Sequence, residues 1–308
     1  MSLLQKVVFI DGITRSGKSM VAPMFRSSKS FDPVIFSYDL EYVMAGLVSK
    51  ELSVEFARNF FIKVINERIY DAKLGRNFNF RTNEISSLDK MLHFQSLKER
   101  LKHGDGDEVL ERVRGHDIIT PFFTHDMALS YQDFVTLNLD IYIIEVLRDP
   151  FEITNSWILK NWGRRQLSDP RSFKHLISVD GNLVPWQARD YADIWINSSA
   201  EDRCALVVAD STRKLLSQLR KNLGGSLLTV HYDNFATETN LEVTKIAKFL
   251  GVNPDSLDLG CLIPERLPRE IDLLEKNVKI HRLRAILSSS TFEQLMEAHI
   301  DFQSYVGG

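Results

Sequence analysis

Five stretches of the chain are almost continuously apolar: Lys6–Asp11 (KVVFID), 33–39 (PVIFSYD), 117–123 (DIITPFF), 140–147 (DIYIIEVL) and 226–232 (SLLTVHY). Each is short and rich in Val, Ile, Phe and Tyr. A strand covered on one face alternates apolar and polar positions, whereas a strand covered on both faces loses the alternation. Between these stretches the apolar positions recur at helical spacing. In 51–75, Val54, Ala57, Phe61, Val64 and Ile69 fall near one face, and Gly75 supplies a C-terminal stop. A second helical pattern spans 86–107 and runs into a Gly/Asp loop at 103–108. Buried strands alternating with helices predict an α/β fold of three layers, with helices on both faces of a central parallel sheet. The stretch 168–185 reads as a mobile or substrate-facing segment. After 263–270 the pattern is that of two terminal helices. The expected organisation is therefore one α/β domain over 1–262, with the helices of 263–308 packed on it. There is no internal repeat and no low-complexity run.

Composition changes this picture little. The chain has 308 residues, 44% hydrophobic and 26% charged, which is ordinary for a globular protein and long enough to bury a core without disulfide or metal staples. A formal net charge of -3 gives no sign of general nucleic-acid binding, so a site for an anion must be built locally. Cys204 and Cys261 lie far apart and in no CxxC spacing, which argues against a disulfide framework and a zinc site. No apolar run reaches the roughly 18 residues of a membrane span. The first residues lack the apolar core and cleavage site of a signal peptide, so a cytoplasmic location is expected. Nothing in the pattern fixes an oligomeric state.

The chemistry is concentrated in two loops. DGITRSGKS (11–19) follows the first strand and precedes a helix, and it fits the phosphate-binding pattern G-x-x-x-x-G-K-[ST]. Gly12 and Gly17 allow a sharp bend and a close approach of backbone to phosphate oxygens. The amides of the loop, from Thr14 through Ser16 and Gly17, then point at the anion; Lys18 adds a positive charge and Ser19 a hydroxyl for phosphate or Mg²⁺. This pattern implies an anionic nucleotide or a similar ligand without saying which. The second loop is IYIIEVLRDPFEITNSW (141–157). Asp149 suits a helix N-cap, Pro150 the first helical position and Glu152 a capping box. Arg148 ends a buried strand on the edge where open α/β sheets bind ligands, and there it needs an anion or an internal acid as partner. Ser156 falls two turns into the helix.

Together the two loops resemble those of the sulfotransferases that use 3′-phosphoadenosine 5′-phosphosulfate (PAPS). RSGKS (15–19) is similar to the turn that holds the 5′-phosphosulfate in that family. Arg148 with Ser156, eight residues apart, is similar to the pair that holds the 3′-phosphate. FFTHD (122–126) resembles the family's Thr-His strand end, which makes His125 the expected general base. VHYDNFATETNLEVTKIAKFLGV (230–252) resembles its late strand, corner and following helix. The resemblance spans residues 6 to about 252 and implies transfer of a sulfuryl group from PAPS to a hydroxyl or amine of a small molecule or saccharide. It leaves 3′,5′-adenosine bisphosphate as the by-product. Arg15 and Lys18 would stabilise charge on the departing phosphate. Two departures stand out: Lys18 occupies a position usually held by threonine, and Arg15 one where some members have a catalytic lysine. No R-K-G-x-x-G motif follows near the C-terminus.

Other readings stay open. As an ATP- and Mg²⁺-dependent small-molecule kinase, the chain would place Lys18 on the β- and γ-phosphates, Ser19 on Mg²⁺ and Asp39, at the end of the second strand, as base. Asp39 also suits the N-cap of the next helix. A nucleotide-binding regulatory protein is a third class. Asp126 could orient His125. Arg164 and Arg165 suit either a lid over the nucleotide or a solvated surface. GRNFNFR (75–81) and the tryptophans Trp157, Trp162, Trp186 and Trp195 are candidates for an acceptor pocket, with Trp157 and Trp195 reading better as core.

Overall fold

A computed structural model describes residues 6–307 except 83, 92, 103, 105, 116–117, 170–174 and 222–223. Its centre is a sheet of five parallel strands: β1 (Lys6–Asp11), β2 (Ile35–Phe36), β3 (Ile119–Phe123), β4 (Ile141–Leu147) and β7 (Leu227–His231), in the order β2-β3-β1-β4-β7. A separate antiparallel hairpin is formed by β5 (Leu176–Val179) and β6 (Asn182–Pro185). β1 lies in the middle, between β3 and β4, and Val7 to Ile10 are fully buried. Alternate residues serve opposite layers. Val7 and Phe9 join Phe61, Phe122 and Phe134 on one face, whereas Val8 and Ile10 join Phe25 and Ile144 on the other. Two covered faces are why the strand is apolar throughout.

The helices used below are α1 (Lys18–Val21), α2 (Tyr38–Val48), α3 (Val54–Leu74), α4 (Pro150–Leu159), α5 (Trp162–Ser168), α6 (Ala200–Leu219), α7 (Leu273–Ile286) and α8 (Ser289–Gly307). α3 begins at Ser53, whose side chain accepts from the Phe56 amide, and stops at Gly75, which turns left-handed with φ 74°. α1 is one turn long and passes into a 3-10 turn at Ala22–Arg26, where Pro23 lacks the amide an α-helix would use. α8 lays Phe292, Leu295, Ala298 and Phe302 against α6, in the same apolar cluster as Trp157 and Trp195. No helix among the described residues is long and apolar enough to cross a membrane.

Three local expectations change. The second strand is Ile35–Phe36 rather than 33–39, because Leu40, Val43, Met44 and Leu47 already repeat at helical spacing and bury as one face of α2. Asp39 therefore lies in the first turn of a helix whose N-cap position is Ser37. The helix expected over 86–107 breaks into short pieces, Leu88–Lys90, Phe94–Glu99 and Arg100–Lys102. Among its described residues, Leu88, Met91 and Leu97 form a small buried cluster of their own. Two residues of the 103–108 loop, 103 and 105, lie outside the described residues, and a helix has begun by Asp107. Part of 168–185 is also outside them, but its second half is the β5–β6 hairpin. That hairpin turns on Asp180 and Gly181, both with positive φ (49° and 82°), as a two-residue primed turn requires.

Candidate functional site

The loops after β1, β3 and β4 converge at the C-terminal edge of the sheet, at its centre. Gly12 has φ 147°, and a Cβ there would lie 2.5 Å from Ser16 Oγ and 2.7 Å from the Val146 carbonyl. Gly17 has φ 105°, and a Cβ there would lie 2.2 Å from the Tyr232 ring. Both glycines are thus required by backbone angle and by space. Arg15 also takes a positive φ, 74°. The Trp157 indole N–H donates to the Thr14 carbonyl at 2.7 Å, pinning the loop to α4. Ser16 Oγ is buried without a hydrogen-bond partner, while Ser19 is exposed.

Lys18 is turned into the molecule, only 3% exposed. Its ammonium donates to the Gly12 carbonyl and, at 3.3 Å, to that of Ile13, and lies 5.5 Å from the centre of the Phe123 ring. Burial pulls its pKa below the ordinary lysine value, against the opposing pull of Asp11, Asp126, Glu145 and Glu41. Asp11 and Glu145 are cross-strand neighbours on β1 and β4, both buried. Asp11 accepts from Thr124 Oγ1 and from the Ala128 amide, each at 2.9 Å. Burial raises the pKa of Asp11; burial and the neighbouring Asp11 raise that of Glu145 well above its ordinary value. Glu145 had a sequence signal: it is the one acid inside an otherwise apolar strand.

The second loop meets the first directly. Arg15 Nε donates to Ser156 Oγ at 2.9 Å, and Arg148 Nη1 to the Arg15 carbonyl at 3.3 Å. Arg148 also finds an internal acid, Glu152, at 2.9 Å, and its guanidinium stacks 4.1 Å from the centre of the Tyr232 ring. Glu152 takes Lys279 of α7 as well, at 3.1 Å. The capping box is therefore half realised. Asp149 caps α4 by accepting from the Phe151 amide at 2.8 Å, but Glu152 serves as counter-ion to Arg148 and Lys279. Arg269, from the segment before α7, hydrogen-bonds the Tyr232 hydroxyl. The sequence offers Tyr232 only as part of the 230–252 stretch and gives no signal for Arg269, because no local pattern announces an arginine that meets Met20 of α1 from 249 residues away.

His125 follows β3 on the other side of the loop. Its Nδ1 lies 2.8 Å from Glu41 Oε1, Tyr38 is parallel to its ring at 6.3 Å, and Phe123 packs edge-on at 5.5 Å. A small cavity of about 20 Å³ opens there between Glu41, Tyr42, His125, Asp126, His175 and Trp186. The carboxylate on Nδ1 is thus Glu41; Asp126, left-handed at φ 64°, accepts from Gln187 Nε2 at 2.7 Å. His93 is buried elsewhere, its pKa lowered by burial and by Arg100. His103 lies outside the described residues.

The remaining candidates separate clearly. Asp39 is paired with Arg68 at 2.9 Å. Arg165 pairs with Asp169 at 2.9 Å and Arg164 is exposed on α5. Trp157 and Trp195 are core, Trp162 packs on Trp157, and Trp186 lines the His125 cavity. Among the described residues no group of three or more His, Cys, Asp or Glu side chains is placed to hold a metal ion. Both thiols are free, and burial pushes Cys204 up to about 12 and Cys261 to about 11.

Fold and site define an α/β protein with a glycine-hinged loop at the edge of its central strand. Solved structures similar to it include the sulfotransferase domain of the Synechococcus PCC 7002 olefin synthase and the sulfotransferase domain of the curacin biosynthetic pathway. The first is 13% identical with a TM-score of 0.43, covering 98% of this chain and 93% of that one. The second is 11% identical with a TM-score of 0.42, covering 92% and 99%. No protein-family model matches the chain, and no curated protein matches it.

Proposed function

We propose that the chain is a sulfotransferase that uses PAPS as donor and a hydroxyl or amine as acceptor. The observation that carries this reading is the junction of the two loops through Arg15, Ser156 and Arg148. It gathers two guanidinium groups at the edge of the loop, on the side of Lys279 and Arg269. A donor carrying a second phosphate on its ribose needs such charge-assisted contacts beyond the loop itself; ATP does not. The residues fit the donor at two further points: the Gly12 and Gly17 cradle would be filled by any Cβ, and Ser16 Oγ is an orphaned buried hydroxyl. Arg148, Ser156 and Arg269 would hold the 3′-phosphate, and the loop from Gly12 to Ser19 the 5′-phosphosulfate. When bound, the donor supplies an activated sulfuryl group. His125 accepts the acceptor's proton on Nε2, while Glu41 holds the Nδ1–H tautomer that leaves Nε2 basic. Lys18 exchanges its loop carbonyls for the anion and, with Arg15, neutralises charge on the departing phosphate. Arginine stays protonated, so Arg15 acts as a charge and not as a proton donor.

The kinase reading draws less support, since Asp39 lies in the first turn of α2 and is paired with Arg68 at 2.9 Å. Titration with 3′,5′-adenosine bisphosphate, AMP and ATP with Mg²⁺ tests the proposal. Metal-independent binding of the bisphosphate, about tenfold or more tighter than AMP and reduced to the AMP level in Arg148→Ala, is the expected outcome. Equal binding of bisphosphate and AMP, with ATP binding abolished by EDTA, overturns it.

A further inference from the structure

β2 leaves the sheet open on one side, since it ends the strand order and pairs only with β3. Which of its backbone groups face outward follows from β3. Ile119 donates to the Ser30 carbonyl and accepts from the Asp32 amide, whereas Thr124 donates to the Ile10 carbonyl of β1. Alternate residues of a strand turn their N–H and C=O to opposite sides. Ile119, Pro121 and Phe123 therefore serve the β2 side, and Phe122 the β1 side. Ile35 stands opposite Phe122, so its own groups meet those of Pro121 and Phe123. Val34 and Phe36 then carry their N–H and C=O groups outward. They lie about 7 Å apart along the strand, the two-residue repeat at which a further strand pairs. Among the described residues none hydrogen-bonds these outward groups.

The open side is a groove of about 230 Å³, lined by β2, by Arg68, Asp71 and Arg76 at the end of α3, and by Phe78 and Asn79 beyond it. The far wall is held by bonds of its own: Asn79 Nδ2 donates to Glu84 at 2.7 Å and to Ser86 at 2.8 Å. Two guanidinium groups and one carboxylate line the groove, an excess of positive charge in a chain whose formal net charge is -3. Ile35 packs in the apolar layer that α3 covers, and Val34 and Phe36 in the opposite one. A strand added to β2 continues that division. Its alternate side chains point toward α3, where a carboxylate meets Arg68 and Arg76, and the others extend the layer of Val34 and Phe36. A second copy of the chain would bring the same two arginines to the shared edge, which like-charge repulsion disfavours. Pro33 and the arginines likewise guard the edge against unselective pairing. We infer that this edge binds an extended segment of a partner protein, alternating acidic and apolar residues, as a sixth strand of the sheet. The inference is independent of the sulfuryl-transfer reading.

NMR-detected amide exchange tests this on the full chain, isotope-labelled at valine, isoleucine and phenylalanine, with the end-blocked peptides TVEVEVT and TVKVKVT as probes. In the free protein the Ile35 amide should exchange slowly and those of Val34 and Phe36 fast. Millimolar TVEVEVT should slow exchange at Val34 and Phe36 by about tenfold or more, and TVKVKVT should not. Arg76→Glu, a change at an exposed rim position, should reverse that preference with the thermal unfolding midpoint unchanged. Two forms of TVEVEVT, N-methylated on one or the other set of alternate amides, separate strand pairing from charge attraction on the unaltered protein. At least one of them should fail to protect the edge. The inference is overturned if Val34 and Phe36 are already protected in the free protein, if TVEVEVT leaves their exchange unchanged, or if the lysine peptide protects them equally. It is overturned too if folded Arg76→Glu keeps the parent's preference. Equal protection by both N-methylated forms also overturns it, by marking the groove as a patch open to any polyanion.

Discussion

At the scale of single residues, the site is a small number of charges kept in low-dielectric surroundings. Glu145 and Asp11 face each other beneath Lys18, and burial raises the pKa of both. An acid whose pKa is raised on folding contributes stability that is present below its unfolded pKa and lost as pH rises through the folded one. Glu145→Gln removes that loss at nearly constant shape. The variant's unfolding midpoint should therefore gain on the parent as pH rises from the ordinary glutamate value of 4.5 toward 8, and the gap should close again on acidification. A constant or reversed gap between pH 5 and pH 8 would show that Glu145 is ionised in the fold. In the proposed function Glu41 has a different part, that of positioning His125, whose Nδ1 it faces at 2.8 Å. His125→Ala should lower turnover by about 10²–10⁴. Glu41→Ala should lower kcat by less, with the affinity for 3′,5′-adenosine bisphosphate unchanged in both and partial recovery in Glu41→Asp. Weakened bisphosphate binding in Glu41→Ala would make its role structural.

At the scale of elements, legibility followed burial. β1, β3, β4 and β7 were readable to within about two residues, because strands covered on two faces are apolar from end to end. β2 was over-read because it is an edge strand of two residues whose apolar run continues into the buried face of α2. The β5–β6 hairpin was missed although Asp180-Gly181, a two-residue turn signal, stood in plain view between Leu176–Val179 and Asn182–Pro185. The two loops were legible because glycine and charge requirements are local. Their supports were not: Glu41 lies 84 residues from His125, and Lys279 127 residues from Glu152, distances that only the fold closes. The loop's dependence on its support can be measured at Gly17, where φ 105° and the Tyr232 ring both exclude a side chain. Gly17→Ala should cost about 1–3 kcal/mol from the backbone angle alone, plus the displacement of Tyr232. Combining it with Tyr232→Ala should restore the steric part and leave the angular part, seen as non-additivity in thermal unfolding. Strict additivity would mean that the ring does not press on the loop.

At the scale of the whole molecule, the terminal helices bear on the site although they contribute few of its residues. α8 closes the cluster that contains Trp157 and Trp195, and Trp157 in turn holds the Thr14 carbonyl of the loop. Phe302 of α8 shares a narrow apolar gap with Ile13, Ser16 and Arg148, directly behind the loop. α7 brings Lys279 to Glu152, the counter-ion of Arg148. On these contacts we propose that residues 263–308 and the α/β core unfold together. Leu295 is fully buried between α8 and the core, so Leu295→Ala should cost about 2–5 kcal/mol, the usual range for a buried leucine. If the molecule is one cooperative unit, that loss moves the whole transition. Tryptophan fluorescence, which reports the cluster around Trp157 and Trp195, and far-UV circular dichroism, which reports all helices, should then give the same midpoint in parent and variant. Bound 3′,5′-adenosine bisphosphate should raise that midpoint in both probes together, since anything that binds only the folded state stabilises all that is coupled to it. Separation of the two transitions in Leu295→Ala, with the ligand shifting only one of them, would show that the terminal helices fold apart from the loop they support.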